Sequence, residues 1–509
     1  MTQQPRTQIS HRLIRGVALS LAVLFVLSAP VAAGERGDTG AGRGAQRDLK
    51  ELRDKAARQG SVPLIVELNL GAAPTTDTLE SQRGAVGQAR AALHKELGGG
   101  QLQGWADAGD LPFVTMHAND KHLERLERSS LVRGVREDLE LTVGTEAQEL
   151  VSVPVDAAAV PAADAINPDG AGSAGTSNRG VSQADQLPKW WDYYKVGADR
   201  ASGAGWTGSG QTVAIIDMGV ERTHAWLSGD VVVEACFATR TLGASGGDCP
   251  NGTATQYGTG SAKPCPWAGC DHGTHVAHTA AGYYGIGSGA NIIALQTFHW
   301  TAQGPRTWES DYVRALAYLY SLRGSYKIAA VNMSISGGGS TGFCDNTAGD
   351  ASMTWNPTYL TGWINALAAA NIATVISSGN DDFSDRLGRP SCISGAISVG
   401  NTTLDAAGYE AVLGYTTYGS NSNSTLDLLA PGTDICSAVP GNGVDCTKYG
   451  TSMAAPHVAG AIAVLKQRRP TATVAQLLSA LQRSGVGVYD SRNRITVTRI
   501  DVYRALSYI

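Results

Sequence analysis

Four short apolar runs constrain this chain more than anything else in it: residues 213–216, 292–295, 328–333 and 372–376. Each is too short for a buried helix and too continuous for a strand with one wet face. Between them lie stretches with helical spacing. In residues 311–322, for example, Val313, Leu316, Ala317 and Tyr320 share one face. Continuous apolar strands separated by such helices form a parallel sheet covered on both sides. The expected fold class is therefore α/β, a doubly wound parallel sheet, and such sheets carry their sites beyond the carboxyl ends of the strands.

At 509 residues the chain is longer than one core requires. Residues 34–145 read as a small α+β domain, with strands at 62–68, 111–117 and 132–141 alternating with helices at 83–97 and 121–128. Residues 146–186 are mostly Ala, Gly, Val, Ser, Asp and Pro. They hold few large apolar side chains to bury and read as a flexible linker, with an ordered surface crossover as the alternative. Residues 187–509 form the α/β domain. At the start, Arg6, Arg12 and Arg15 precede an apolar run over 17–27 and the small residues Val31, Ala32 and Ala33. That is the three-part pattern of an export signal over residues 1–33. The run is too short to cross a hydrocarbon layer of about 30 Å, so a soluble, secreted monomer is expected. The net charge is −5, charged residues are 17% and no long basic block occurs. These features argue against a nucleic-acid partner.

Three segments can carry chemistry. Asp217 closes the first apolar strand, where a carboxylate can orient a histidine. His272 opens a helical stretch, His-Gly-Thr-His-Val-Ala. Ser452 lies in Gly-Thr-Ser-Met-Ala-Ala-Pro, small residues and a first-turn proline that suit the start of a buried helix. Free backbone N–H groups and the helix dipole would face charge developing there. Taken singly, each is ordinary: an Asp in a turn, a satisfied histidine, a helix-capping serine.

Taken together, the three motifs resemble those of the subtilase family, and their order along the chain, Asp, His, Ser, is the order found there. The resemblance covers about residues 196–470 of the α/β domain. It implies a subtilisin-like serine endopeptidase acting on proteins or peptides, with no cofactor required for the chemistry. Residues 34–145 resemble the family's inhibitor-type propeptide, which implies a self-processing zymogen blocked by its own pro-segment. Carried over residue by residue, Asp217, His272 and Ser452 form the triad. Asn380 donates its side chain to the oxyanion, with the Ser452 N–H as the second donor. Ser334, Ile335, Ser336 and Gly337 resemble the stretch that pairs with the substrate backbone. Ser377, Ser378, Gly379 and Asp381 resemble the specificity-pocket wall. A silent binding scaffold would lack one of the four catalytic residues, and all four are present.

The sequence departs from the family in places. His278 stands where glycine is usual, creating His272, His275 and His278 at three-residue spacing. Helical zinc pairs favour i, i+4 with an intervening Glu, so no metal site is expected. Residues 279–290 are shorter than in many subtilases, and the missing part commonly holds a calcium loop; structural calcium has no support here. Asp381 and Asp382 near the pocket mouth could favour a basic substrate side chain or form a solvated acidic turn. The eight cysteines all lie between Cys236 and Cys446, and with an export signal they read as disulfides. Local pairing would join Cys236 with Cys249, Cys265 with Cys270 and Cys436 with Cys446, leaving Cys344 with Cys392, among about 105 connectivities open to the sequence.

Overall fold

The computed structural model describes residues 41–70, 79–100, 102–107, 111–142, 190–240, 246–267, 269–301, 304–345, 358–404, 409–414 and 419–509. The expected signal over residues 1–33 and linker over 146–186 lie outside the described residues. Gly40–Ile509 form one unit, with a small sheet and a large one.

The small sheet holds β1 (Val62–Leu68), β2 (Ala106–Asp107), β3 (Phe113–Ala118) and β4 (Val132–Glu137), in the order β2-β3-β1-β4, all antiparallel. Helices α1 (Ala41–Gln59), α2 (Leu79–Glu96) and α3 (Asp120–Arg128) accompany it. The sequence pattern had no place for α1. Alternation along β1 sends Val62, Leu64 and Val66 into a core with Leu52, Val86, Leu93, Leu123 and Leu126 from the helices. Ile65 points the other way, yet it is buried too, because it and Phe113 join the apolar cluster of the large domain. An antiparallel sheet with both faces covered thus marks where the small domain leans on the large one. The expected strand 132–141 is in fact two. Asp138 breaks it, β4 stays in the small sheet, and β5 (Glu140–Thr142) leaves to pair elsewhere.

Among the described residues the large sheet has eleven strands. Its parallel centre comprises β6 (Thr212–Asp217), β7 (Val231–Cys236), β9 (Asn291–Gln296), β12 (Ile328–Met333), β14 (Ala373–Ser377), β16 (Ile397–Leu404) and β18 (Leu428–Pro431). In space these run β7-β9-β6-β12-β14-β16-β18. Short strands flank them: β8 (Gln256–Tyr257) and β17 (Glu410–Val412) pair antiparallel, and the hairpin β21 (Val486–Asp490) and β22 (Ile495–Arg499) adds β22 parallel beside β18 and β21 antiparallel beyond it. After β6 the chain builds first on one side and then on the other, so the topological switch falls between β6 and β12, at the carboxyl end where such sheets carry sites. Smaller pairings are the hairpin β10 (His299–Thr301) and β11 (Gly304–Trp308), the pair β13 (Gly337–Ser340) and β15 (Leu387–Arg389), and the hairpin β19 (Ile435–Val439) and β20 (Gly443–Lys448).

Helices α4 (Trp191–Lys195), α5 (Ala198–Gly203), α6 (His272–Ala281), α7 (Glu309–Leu322), α8 (Thr358–Ala369) and α9 (Thr451–Arg468) complete the layers relevant to the site. Every α9 residue from Thr451 to Lys466 is buried. The four disulfides are Cys236–Cys249, Cys265–Cys270, Cys344–Cys392 and Cys436–Cys446, the pairs that local pairing gives.

Candidate active site

Asp217 is the last residue of β6, and it is buried. Its Oδ1 accepts the Met218 N–H at 2.7 Å and faces His272 Nδ1 at 2.8 Å, with Oδ2 at 3.0 Å. This contact requires α6 to start against the end of β6. Gly273 makes that possible: a Cβ there would lie 2.3 Å from the Gly219 carbonyl oxygen and 3.0 Å from Asp217 Oδ1. A carboxylate oxygen accepts, so His272 carries a proton on Nδ1, leaving Nε2 as the ring nitrogen that Asp217 does not engage. That Nε2 is buried and finds no hydrogen-bond partner among the described residues.

Ser452 sits in the first turn of α9 and is buried. Pro456 has no N–H, so the Ser452 carbonyl loses the helical bond it would otherwise receive from four residues on. Ser334 supplies the missing donor, its Oγ giving a hydrogen bond to that carbonyl at 2.8 Å. Asn332 Nδ2 in turn donates to Ser334 Oγ at 2.9 Å. The proline that makes this turn irregular also ties it to the end of β12.

Two contacts align α6 with α9. Lys448 Nζ pairs with Asp271 Oδ2 at 2.9 Å, joining the residues just ahead of each helix. Farther along, Gly460 approaches α6 so closely that a Cβ would lie 2.4 Å from the Ala280 carbonyl oxygen. Ala280 and Gly460 lie equally far past His272 and Ser452. The helices therefore run side by side with those two residues at corresponding ends.

Asn380 follows β14 by way of Ser378 and Gly379. Its Oδ1 accepts the Thr451 N–H at 2.9 Å and the Thr451 hydroxyl at 2.8 Å. A backbone N–H can only donate, so the atom it meets is the amide oxygen, and Nδ2 is the end turned away. The donor end of Asn380 is thus set by the residue preceding Ser452. The hydroxyl of Ser377 donates to Ile335 O at 3.0 Å and that of Ser378 to Asn421 O at 2.8 Å. Gly337 begins β13, opposite Arg389.

The neighbouring acidic pair does not form two free carboxylates. Asp381 Oδ2 accepts from Asn421 Nδ2 at 2.9 Å, and Asp382 Oδ1 accepts from Arg492 Nη1 at 2.6 Å. Of the two readings of this pair, basic preference and solvated acidic turn, neither has two free carboxylates, because Asp382 is tied to the buried Arg492.

The other two histidines of α6 serve packing. His275 Nε2 donates to Ile435 O at 2.9 Å, and His278 lies 2.8 Å from Ser437 Oγ and 2.7 Å from Tyr283 O. Burial holds His275 well below its ordinary pKa, and it holds His278 at about 3. Both rings are neutral and dock α6 onto β19.

One component of the site was not legible in the sequence. β9 ends beside Asp217, and the Thr297 N–H donates to the Asp217 carbonyl at 3.1 Å. The hairpin β10–β11 grows from that point, so it stands at the same end of the sheet. Its outer strand β11 pairs antiparallel with β5 of the small domain, matching Arg306 with Thr142 and Trp308 with Glu140. The Gly-Pro start of β11 hid its strand character. Around this pairing the small domain is fastened by polar groups. Asp138 caps α7, accepting the Ser310 N–H at 3.0 Å and its hydroxyl at 2.6 Å. Arg136 pairs with the buried Glu309 at 2.9 Å, and Glu140 meets His299 Nε2 at 2.8 Å. Desolvation raises the Asp138 carboxyl to about 7, with Asp311 and Glu309 adding to the shift.

The family model described as the subtilase family matches residues 208–498. The extracellular serine proteinase of Thermus sp. (strain Rt41A) is 31% identical over 277 residues, which is 54% of this chain and 55% of that protein. Subtilisin amylosacchariticus of Bacillus subtilis subsp. amylosacchariticus is 31% identical over 287 residues, 55% of this chain and 61% of that one. The chain thus spans little more than half the length of these curated relatives. Among solved structures, a cold adapted subtilisin-like serine proteinase is 25% identical with a TM-score of 0.42, covering 58% of this chain and 89% of that one.

Proposed function

Because the chain belongs to the subtilase family, we propose that it is a secreted serine endopeptidase, made as a zymogen that processes itself. In this reading residues 1–33 are a signal peptide, 34–145 an inhibitory pro-domain, 146–186 the linker that is cut, and 187–509 the peptidase domain. His272 Nε2 takes the proton of the Ser452 hydroxyl as Oγ attacks the scissile carbonyl. Asp217 holds the imidazole tautomer and stabilises the imidazolium that forms. Asn380 Nδ2 and the Ser452 N–H receive the oxyanion, where one such donor contributes roughly 3–4 kcal/mol. His272 then gives its proton to the leaving amine, and water hydrolyses the acyl-enzyme by the same route.

The observation that carries this reading is the buried Asp217–His272 pair, its Nε2 unpartnered at the end of a helix aligned with the one that begins at Ser452. The β5–β11 pairing supports the pro-domain assignment, because an extended peptide added to a hairpin edge is also how a substrate would bind. Ser334, Ile335, Ser336 and Gly337 would line the other side of that peptide, with Ser377, Ser378, Gly379 and Asp381 around its side chain. The test compares wild type with Ser452→Ala, reading product size, N-terminal sequence and casein hydrolysis. Wild type should mature and digest casein while the variant stays unprocessed and inert. A variant that matures and digests casein as wild type does would show that Ser452 is not the nucleophile.

A further inference from the structure

The turn that carries Asn380 does not hold its own shape. Gly379 (φ 105°) and Asp382 (φ 58°) both lie in the left-handed region, on either side of Asn380. For an aspartate this is an unfavourable conformation, and such turns persist where the surroundings over-determine them. Here two separate elements do so.

The first is Asn421. Its N–H donates to Gly379 O at 2.8 Å, its Oδ1 accepts the N–H groups of Asp381 and Phe383 at 3.0 Å each, and its Nδ2 donates to Asp381 Oδ2. One side chain therefore spans the turn from end to end.

The second is the tip of the β21–β22 hairpin. The Arg492 side chain is only 5% exposed. It grips Asp490 with Nε at 2.9 Å and Nη2 at 2.7 Å, which leaves Nη1 directed at Asp382. Next to it, Asn493 Nδ2 donates to Ser384 O at 3.1 Å and to Ser422 Oγ at 2.9 Å. From behind, the Asp382 N–H donates to Gly419 O at 2.8 Å, and a Cβ on Gly419 would lie 2.0 Å from Asp382 Oδ1. The guanidinium is preorganised by Asp490, so its third contact acts as a fixed strut rather than a loose surface pair.

We propose that Arg492 is a positioning residue for the oxyanion donor: the C-terminal hairpin, through Arg492 on Asp382, holds the Asn380 turn where its amide meets the reacting carbonyl. This rests on the reading of Asn380 as that donor. A purely structural role would give a loss indifferent to Asn380, whereas positioning gives a loss that vanishes once Asn380 is gone.

The experiment uses the mature enzyme released from the full chain, processed in trans where a variant does not process itself, in the forms Arg492→Gln, Asp382→Asn, Asn380→Ala, and each of the first two combined with Asn380→Ala. It reads kcat and KM on a peptide anilide, with thermal midpoints as the check on folding. Asp382→Asn leaves Arg492 paired to Asp490, so it remains informative where Arg492→Gln misfolds. Each single change at 492 or 382 should lower kcat about tenfold with KM within about twofold, since small misplacements of catalytic groups act mainly on the transition state. In the Asn380→Ala background neither change should lower kcat further. Unchanged kcat in both single variants, or the same fold-loss with and without Asn380, overturns the positioning role. If Asn380→Ala itself retains full kcat, the oxyanion reading falls and the proposal falls with it; if it is slow while Arg492→Gln and Asp382→Asn are not, the proposal falls alone.

Discussion

Replacing Asp138 by asparagine should remove a pH dependence from the contact between the small domain and the large one. Asp138 is buried, and desolvation raises its carboxyl from 3.8 to about 7. When the contact opens, the group returns to its ordinary value. A raised carboxyl makes its stabilising contribution below the unfolded value, and that contribution is lost as pH climbs through the folded one. The full shift corresponds to a ceiling of roughly 4 kcal/mol, at about 1.36 kcal/mol per unit. Between pH 5 and pH 7 the opened state is already ionised while the closed state gives up its proton only as pH nears 7, so the contact should weaken by about 2 kcal/mol and then level off. Asparagine keeps the geometry, accepting the Ser310 N–H and donating to its hydroxyl, but cannot ionise. His117, lowered by burial to about 4, slopes the other way, and being common to both proteins it cancels in the difference. The assay is native-state hydrogen exchange of peptides covering β11 and the first turn of α7, in the Ser452→Ala chain so that nothing is cut. Opening free energies of the two proteins should diverge as pH falls from 7 to 5, with the Asp138 chain the more stabilised at pH 5. Parallel curves, or an Asp138 chain that gains stability as pH rises relative to the Asp138→Asn chain, would refute the assignment of the proton to Asp138.

Three further outcomes are expected. Gly273→Ala should abolish casein hydrolysis while leaving the chain folded by circular dichroism, because the new methyl cannot coexist with the Gly219 carbonyl unless α6 retreats from Asp217. Serine at both Cys344 and Cys392 should cost about 4 kcal/mol, from the loop-closure entropy of a 48-residue separation, read as a lowered denaturation midpoint of the mature enzyme. Ser334→Ala should strip the Ser452 carbonyl of its donor, at a cost of about 1–3 kcal/mol. It should lower kcat more than the reciprocal change Pro456→Ala, measured on the same peptide anilide.

How much of this was legible beforehand depends on the range of the interactions. Four of the seven parallel strands, β6, β9, β12 and β14, announced themselves through local apolar pattern, as did α6 and α9, whereas β7, β16 and β18 did not; Asp217, His272 and Ser452 stood at strand or helix ends where the pattern broke. The connectivity of the cysteines was left open by the sequence; local pairing suggested the observed set because three of the four bridges close short loops. The split of residues 132–141 at Asp138 was not readable, since nothing local distinguishes a strand that continues from one that crosses to another sheet. Nor was β11, whose Gly-Pro start reads as a turn and whose strand form comes from β5 on one side and β10 on the other.

The sequence by itself determined the parallel sheet, the motif-bearing helix starts and the residues able to do chemistry there, because side-chain period, glycine and proline act over a few residues at a time. Only the tertiary structure decided that Pro456 hands the Ser452 carbonyl to Ser334, and that Thr451 turns the Asn380 amide. It alone showed that Asp382 is held by Arg492 from the far end of the chain, and that β5 is added beside β11. Each of these is a hydrogen bond or ion pair between segments distant in sequence, and its partner is chosen by packing geometry, which no local pattern encodes.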